Sequence, residues 1–342
     1  MNVGLVGVTG YSGSVLFELL LRHPNVDQVN LYGHAQTEAQ SLETVMPQLR
    51  RRDNILPYNP ADIMKNNQMV FFATSAGVTT ELAKPFIDAN FPVIDLAGDY
   101  RLKSRDVYKK WYKKEAPSTE YLNKSHYGLT DFTSSKGETY VSNPGCYATS
   151  TILALAPLVQ NHLIDPTSIV VDAKSGTSGA GKKLTQLTHF SQTNENLQLY
   201  KVNQHQHIPE IVQQLQEWDE NVPYIQFTTT LLPLTRGIMA SCYAKAKSDV
   251  TEKDVRDAFV RTYSDDTFVN ATEGVFPALK QVVGTNFCDI GYQLNPVTHQ
   301  IVIVSVIDNL LKGAAGQAIQ NFNQMFGFEP ETGLNLIPVL PI

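Results

Sequence analysis

Residues 2–8 form an apolar-rich run that ends in a glycine turn, the pattern of a buried strand. Residues 12–22 then carry Val15, Leu16, Leu19 and Leu20 at helical spacing, with Ser12 as the candidate N-cap. A second strand pattern covers 26–32. Further apolar runs follow at 69–73 and 92–96, with a helical stretch at 79–89 between them. Strands alternating with helices predict βαβ units around a mostly parallel sheet.

The second half has a different pattern. Residues 168–173, 226–232, 237–246 and 300–307 are β-rich, long and less regularly separated by helices, which predicts a mixed or antiparallel sheet. An amphipathic stretch at 314–325 follows the last of these and is expected to fold back onto the first domain. The expected fold class is therefore α/β: a domain of βαβ units, then an α+β domain, with the junction near Pro144 to Cys146. No repeat, low-complexity tract or flexible linker interrupts this order.

A length of 342 residues agrees with two domains, and 42% apolar with 18% charged residues describes a soluble globular chain. The net charge of −6, with no run of Lys or Arg, argues against nucleic acid or a membrane surface as partner. No segment approaches the roughly 18 consecutive apolar residues of a membrane span. The start of the chain runs straight into a strand pattern without a basic leader, so a cytoplasmic protein is expected. Cys146, Cys242 and Cys288 are too sparse for a disulfide framework and are not spaced for zinc, and no metal is expected.

Gly7-Val-Thr9-Gly10-Tyr11-Ser12-Gly13 lies between the first strand and the first helix. Glycines there permit a tight turn and close approach to a pyrophosphate, and the free N–H groups of a helix start face its negative charge. The spacing is GxxGxxG rather than GxGxxG, so position carries much of the argument. A carboxylate at the end of the second strand would mark NAD; here the stretch reads Leu31-Tyr-Gly-His34-Ala-Gln36-Thr37, with none until Glu38. That favours NADP, with His34 and Ser75 joining the glycine turn as cofactor-binding candidates.

Ser142-Asn143-Pro144-Gly145-Cys146 follows a strand-like segment at 138–141 and precedes an apolar helical stretch at 151–159. Cys146 is thus expected at a helix start, where the dipole lowers a thiol pKa and free N–H groups hold an oxyanion. Cys242 and Cys288 lie in apolar surroundings and read as small core hydrophobes. His205-Gln-His207-Ile-Pro-Glu210 opens another helix. Either histidine is a candidate acid/base for the thiol, and the residues alone leave the choice open. The Gly- and Ser-rich stretch at 174–183, including Ser175 and Gly176, is a candidate anion cradle, and Arg236 a candidate carboxylate clamp.

Taken together these motifs resemble the N-acetyl-γ-glutamyl-phosphate reductase family almost end to end. The likeness also includes Asp95-Leu-Ala-Gly-Asp99-Tyr-Arg101, Leu231-Leu-Pro-Leu-Thr-Arg236-Gly and Asp308-Asn309-Leu-Leu-Lys312-Gly313-Ala-Ala-Gly316-Gln317. It implies a Rossmann-type NADP domain at 1–145 and 308–342, and an inserted catalytic and oligomerisation domain at 146–307, as in aspartate-semialdehyde and glyceraldehyde-phosphate dehydrogenases. Cys146 would be the nucleophile that forms a thioester, the histidine pair its acid/base, and Asn309, Lys312 and Gly313 part of the nicotinamide site. Substrate-binding candidates are Arg236, the loop from Ser175, Arg101, Glu210 and Asn143, the last also a possible oxyanion donor. The implied activity is reduction of an acyl phosphate in arginine biosynthesis by a homodimer or homotetramer. The alternatives are a sister reductase acting on aminoadipyl phosphate in lysine biosynthesis and, more remotely, a silent nucleotide sensor. Gly98 departs from the family pattern, where a small hydroxyl residue is more usual.

Overall fold

The computed structural model describes residues 1–338, so the last four residues of the predicted 308–342 segment lie outside the described residues. Contacts divide the chain into two units. One comprises Met1–Pro144 and Ala314–Asn335; the other comprises Gly145–Gly313 with 336–338.

The first unit holds an eight-stranded sheet made of β1 (Asn2–Val6), β2 (Gln28–Gly33), β3 (Gln40–Ser41), β4 (Asn54–Pro57), β5 (Met69–Phe72), β6 (Val93–Asp95), β7 (His126–Tyr127) and β8 (Tyr140–Ser142). Its order is β3-β4-β2-β1-β5-β6-β8-β7, and every pairing is parallel except β3 with β4. β1 stands between β2 and β5, at the point where the strand order reverses and where such sheets bind ligands beyond their carboxyl ends. The helix Gly316–Phe326 packs on the helix Tyr11–Arg22 and on β6, and the Phe322 ring meets the edge of Phe71 at 5.8 Å.

Three expectations need correction. β1 stops at Val6, because Gly7 turns the chain at φ +101°. The first helix begins at Tyr11 with Gly10 as its N-cap and no side-chain cap, so Ser12 lies inside it. The helical stretch at 79–89 is two short helices, Thr79–Leu82 and Lys84–Asp88, because Pro85 has no N–H to give to the preceding turn.

The second unit holds β9 (Val170–Ser175), β10 (Gln198–Tyr200), β11 (Gln226–Leu231), β12 (Ile238–Lys245), β13 (Val269–Glu273), β14 (Cys288–Asn295) and β15 (Gln300–Ile307). They form one mixed sheet in the order β10-β11-β9-β12-β15-β14-β13. The helix Cys146–Gln160 lies on β12 and β15 and touches the helices Ile208–Gln216 and Glu252–Tyr263. It is apolar on all sides, the composition of a helix with no solvent face. Among the described residues no helix is long and apolar enough to cross a membrane.

Pro157 sits inside that helix and cannot donate to the carbonyl of Leu153. The Tyr263 hydroxyl, from the helix Glu252–Tyr263, donates to Leu153 O at 2.5 Å and satisfies it. Tyr263→Phe is expected to lower stability by about 1–3 kcal/mol, the cost of an unsatisfied buried carbonyl. Urea unfolding at unchanged m-value measures this, and an unchanged midpoint would remove the role.

Candidate active site

Cys146 is the first residue of its helix, and Gly145 caps it in an extended conformation. Every residue from Tyr140 to Val159 is buried except Cys146, which is partly exposed. The chain therefore surfaces at one side chain, and that side chain is a thiol at the positive end of a buried helix. The other two thiols are fully buried, and burial pushes the Cys242 thiol well up.

The two histidines lie together, ring centroids 4.7 Å apart, against the residues next to Cys146 in the chain. His207 precedes the helix Ile208–Gln216, and its Nε2 would lie 2.3 Å from a Cβ built on Gly145, so the imidazole occupies the space glycine leaves open. His205 lies against Tyr147 at 5.0 Å and is also enclosed by Tyr200 and Phe227. Its Nδ1 accepts the His207 N–H at 3.2 Å. Burial, helped by the nearby Lys201 charge, pushes the His205 imidazole down to about 3. It is neutral at physiological pH.

Glu210 is 1% exposed and accepts the Gly145 N–H at 2.7 Å. Gly313, in the π-helical turn Leu311–Ala315, approaches the cysteine itself: a Cβ there would lie 2.8 Å from Cys146 Cβ.

In the loop after β9 five N–H groups are engaged within the protein: Gly176 with Gly237 O, Thr177 with Leu234 O, Ser178 with Thr235 O, Gly179 with Gly176 O and Gly181 with Ser178 O. Ser175 Oγ donates to Gly176 O. The reason is close packing, since a Cβ on Gly176 would lie 2.7 Å from Thr235 O. The Arg236 guanidinium donates to Asp308 through Nε and one terminal nitrogen, at 3.2 and 3.0 Å, and stays partly exposed. Asn309 bridges Gly237 N and Ser178 Oγ at 2.7 and 3.0 Å, and Lys312 is fully buried with its Nζ 5.8 Å from the Phe268 ring centroid. Asn309, Lys312 and Gly313 thus belong to the second unit, with the cysteine.

In the first unit the glycine turn, His34 and Ser75 follow β1, β2 and β5, at the carboxyl edge of adjacent strands. His34, Ser75 and Tyr11 are exposed there; Thr9 lies in the turn and Ser12 in the first turn of the helix after it. Two of the turn's glycines admit no side chain: a Cβ on Gly7 would lie 2.5 Å from Ala73 O, and one on Gly13 2.1 Å from Gly7 O. Gln36 Oε1 and Thr74 Oγ1, just past β2 and β5, are buried without hydrogen-bond partners. These features fit a dinucleotide.

Arg101 and Asn143 turn inward. Arg101 donates to Asn143 O and Leu96 O at 2.8 and 2.7 Å. Asn143 has no exposed surface; its amide donates to Ala314 O and its Oδ1 accepts from Asn321. Both brace the chain leading to Pro144. The space beside Gly98 is filled by Tyr112, whose hydroxyl would lie 2.4 Å from a Cβ there.

Sequence reasoning missed Asp95 and Asp99 as working groups, although both stand in a quoted motif. Asp99 is fully buried and accepts from Gly77 N, Thr80 N, Thr79 Oγ1 and Tyr108 Oη, which holds the loop after β5. Asp95 accepts from Ala97 N and Tyr140 Oη, both at 2.8 Å. Burial, with the Asp99 charge nearby, pushes its carboxyl up to about 7.

A parallel sheet carrying a glycine turn, and a mixed sheet behind a helix-start cysteine, are the two parts of a semialdehyde dehydrogenase. The family model for the semialdehyde dehydrogenase NAD binding domain matches residues 2–164, and that for the semialdehyde dehydrogenase dimerisation domain matches 146–309. Solved structures with this fold include aspartate semialdehyde dehydrogenase II from Vibrio cholerae (17% identity, TM-score 0.69, 94% of this chain and 97% of that one). Another is aspartate semialdehyde dehydrogenase with NADP from Candida albicans (14% identity, TM-score 0.67, 94% and 97%). Much nearer in sequence are N-acetyl-gamma-glutamyl-phosphate reductase of Limosilactobacillus fermentum, at 55% identity, and N-acetyl-gamma-glutamyl-phosphate reductase 2 of Lactiplantibacillus plantarum, at 54%, each covering 100% of both chains. The chain belongs to the N-acetyl-gamma-glutamyl-phosphate reductase family.

Gly313→Ala places a methyl group against Cys146 Cβ, and kcat is expected to fall by about tenfold or more in a folded protein. Wild-type kcat in that variant would show that the π turn does not constrain the thiol. For Asp95 the folded pKa lies above the unfolded value, so the native state binds the extra proton and loses stability as pH rises from about 4 through 7. Asp95→Asn should therefore gain on the wild type as pH rises, by up to a few kcal/mol near pH 8. Denaturant unfolding at pH 5 and pH 8 measures the gap, and a gap that does not widen would reject the raised pKa.

Proposed function

We propose that this protein reduces N-acetyl-γ-glutamyl phosphate to N-acetylglutamate semialdehyde and inorganic phosphate with NADPH, a step of arginine biosynthesis. Family membership supports the substrate. The observation that carries the chemistry is Cys146, the one partly exposed residue in a buried run, at a helix start with an imidazole against the preceding residue.

The Cys146 thiolate attacks the acyl carbon, a C–S bond forms, and the bond to the phosphoryl oxygen breaks, releasing phosphate and leaving a thioester. The N–H groups of the first helical turn, which have no carbonyl partner within the helix, face the oxyanion. The Gly145 N–H is held by Glu210, so the oxyanion donors lie beyond it in the chain. A bound NADPH would supply the hydride that reduces the thioester carbon. The thiohemiacetal then collapses, returning the sulfur as thiolate and releasing the aldehyde. His207 is the acid/base in this reading: it takes the thiol proton before attack, gives a proton to the oxygen during reduction and takes it back as the thiohemiacetal collapses, while the departing phosphate takes its proton from solvent. His205 is the less suited of the two, since burial lowers its pKa to about 3 and leaves the ring a weak base.

The glycine turn after β1 would hold the pyrophosphate, with His34, Gln36 and Thr74 at the flanking strand ends, and the stretch 34–37 places no carboxylate against a 2′-phosphate. Arg236, partly exposed and oriented by Asp308, is the favoured anion contact of the substrate. A homodimer or homotetramer in the cytoplasm completes the reading, supported by the dimerisation-domain match.

Cys146→Ser is expected to lose about 10³-fold or more in turnover while NADPH binding is retained. Mass spectrometry of wild type with acyl phosphate and no NADPH should find the acyl group on Cys146; full activity in the serine variant would end the thioester reading. His207→Asn should remove a limb of the pH–rate profile with a loss of about 10²–10⁴-fold, and His205→Asn should keep that limb. The opposite result would transfer the acid/base role to His205.

A further inference from the structure

We infer that Asp99 is a positioning residue of the cofactor site, whose buried carboxylate fixes the segment after β5 beside the glycine turn and so sets the affinity for NADPH. The inference rests on the reading of this sheet edge as a dinucleotide site. Ala73 begins the segment. Its N–H donates to Val6 O at 2.9 Å, and its carbonyl closes the space beside Gly7, where a Cβ would lie 2.5 Å away. The chain then passes Thr74 and Ser75, turns through Gly77 at φ +88° and enters the short helix Thr79–Leu82. The sheet thus holds the near end, and Asp99 holds the far end. Asp99 Oδ1 accepts from Gly77 N at 2.6 Å and from Tyr108 Oη at 2.5 Å; Oδ2 accepts from Thr79 Oγ1 at 2.9 Å and Thr80 N at 3.1 Å. Lys114 Nζ donates to Ala76 O between these two anchors.

Asp99 has no exposed surface. A carboxylate is costly to bury unless its oxygens are bonded, and here both oxygens are spent on the same segment and on one helix beside it. An amide in its place would offer one acceptor oxygen and turn its own N–H groups toward donors. What the clamp presents at the strand ends is the exposed Ser75 and the Thr74 hydroxyl, which is buried without a hydrogen-bond partner. A segment already fixed need not be ordered when a ligand binds, so its preorganisation appears as affinity. Freed at Gly77 and Thr80, the same segment would be ordered at the expense of NADPH binding, while the thiol chemistry in the other unit would be untouched.

The test uses the full-length protein and titrates NADPH by its fluorescence with no acyl phosphate present. Asp99→Asn is expected to raise the Kd about tenfold or more, with kcat at saturating NADPH and KM for acyl phosphate within about threefold of wild type. Amide hydrogen exchange at Gly77 and Thr80 should quicken in the cofactor-free variant. Tyr263→Phe, destabilised in the other unit, controls for lost stability and is expected to keep the wild-type Kd. Should Asp99→Asn fail to fold, Thr79→Val removes one bond from the segment side, and its Kd is expected to rise about threefold. An unchanged Kd, unchanged exchange at both amides, a fall in kcat without a change in Kd, or an equal rise in Tyr263→Phe would each overturn the inference. Wild type is titrated first: no binding there would sink the cofactor reading itself, whereas tight wild-type binding with an unchanged Kd in the variant sinks the role of Asp99 alone.

Discussion

Gly145 is constrained on two sides by a single helix start. Its N–H goes to Glu210, its side-chain space to His207, and its extended backbone caps the helix that begins at Cys146. A side chain at 145 would displace the imidazole, and losing the carboxylate would free the peptide. Catalytic groups must be held to about 0.5 Å to be effective, and here the element that carries the histidine also anchors the residue before the thiol. Their separation therefore does not depend on loop flexibility. Gly313 closes the arrangement beside the thiol, where a methyl group would touch Cys146 Cβ.

Two histidines separated by one residue acquire different properties from their surroundings. His205 is enclosed by Tyr147, Tyr200 and Phe227, and such an environment rejects a charged ring. It meets the need of a buried neutral imidazole by accepting the His207 N–H, which also fixes the turn that presents His207. Arg236 shows the same economy of placement. Asp308, fully buried, takes its guanidinium and the N–H groups of Gly284 and Leu310, so the residue that orients the arginine also shapes the turn leading to Gly313.

What was legible in the sequence depended on whether the signal was local. The first strands, β15 at 300–307, the glycine turn and a cysteine at a helix start are each written within about ten residues, and hydrophobic period and turn chemistry suffice to read them. The composition of the 174–183 loop says nothing about where its N–H groups go; the carbonyls of 234, 235 and 237 that take three of them lie about sixty residues away. Tyr147 was visible beside the cysteine, but its hydroxyl partner Tyr200 comes from a segment with no motif. β14 carries Gly291 in its middle, where no side chain marks the strand pattern, and the cause is again non-local: a Cβ there would lie 2.8 Å from the backbone of Phe276. Ser12 was misread as a cap because a serine is the usual N-cap, whereas the glycine turn places Gly10 in that position.

The three thiols show how far one residue type is governed by its place in the fold. Cys242 sits in the middle of β12 and Cys288 at the start of β14, both without exposed surface, and Cys288 lies 3.4 Å from the Ser305 hydroxyl. Desolvation holds the Cys242 thiol protonated and inert. Cys146 escapes that fate only because it is the first residue of its helix, since the next thirteen residues are all buried. Keeping that helix buried has its own requirement. Pro157 leaves a carbonyl without a donor deep in the unit, and the Tyr263 hydroxyl meets it from a neighbouring helix. The bond that stabilises the interior end of the helix and the bond that holds Gly145 at its start thus serve one purpose: a fixed, buried helix whose first side chain is the partly exposed thiol.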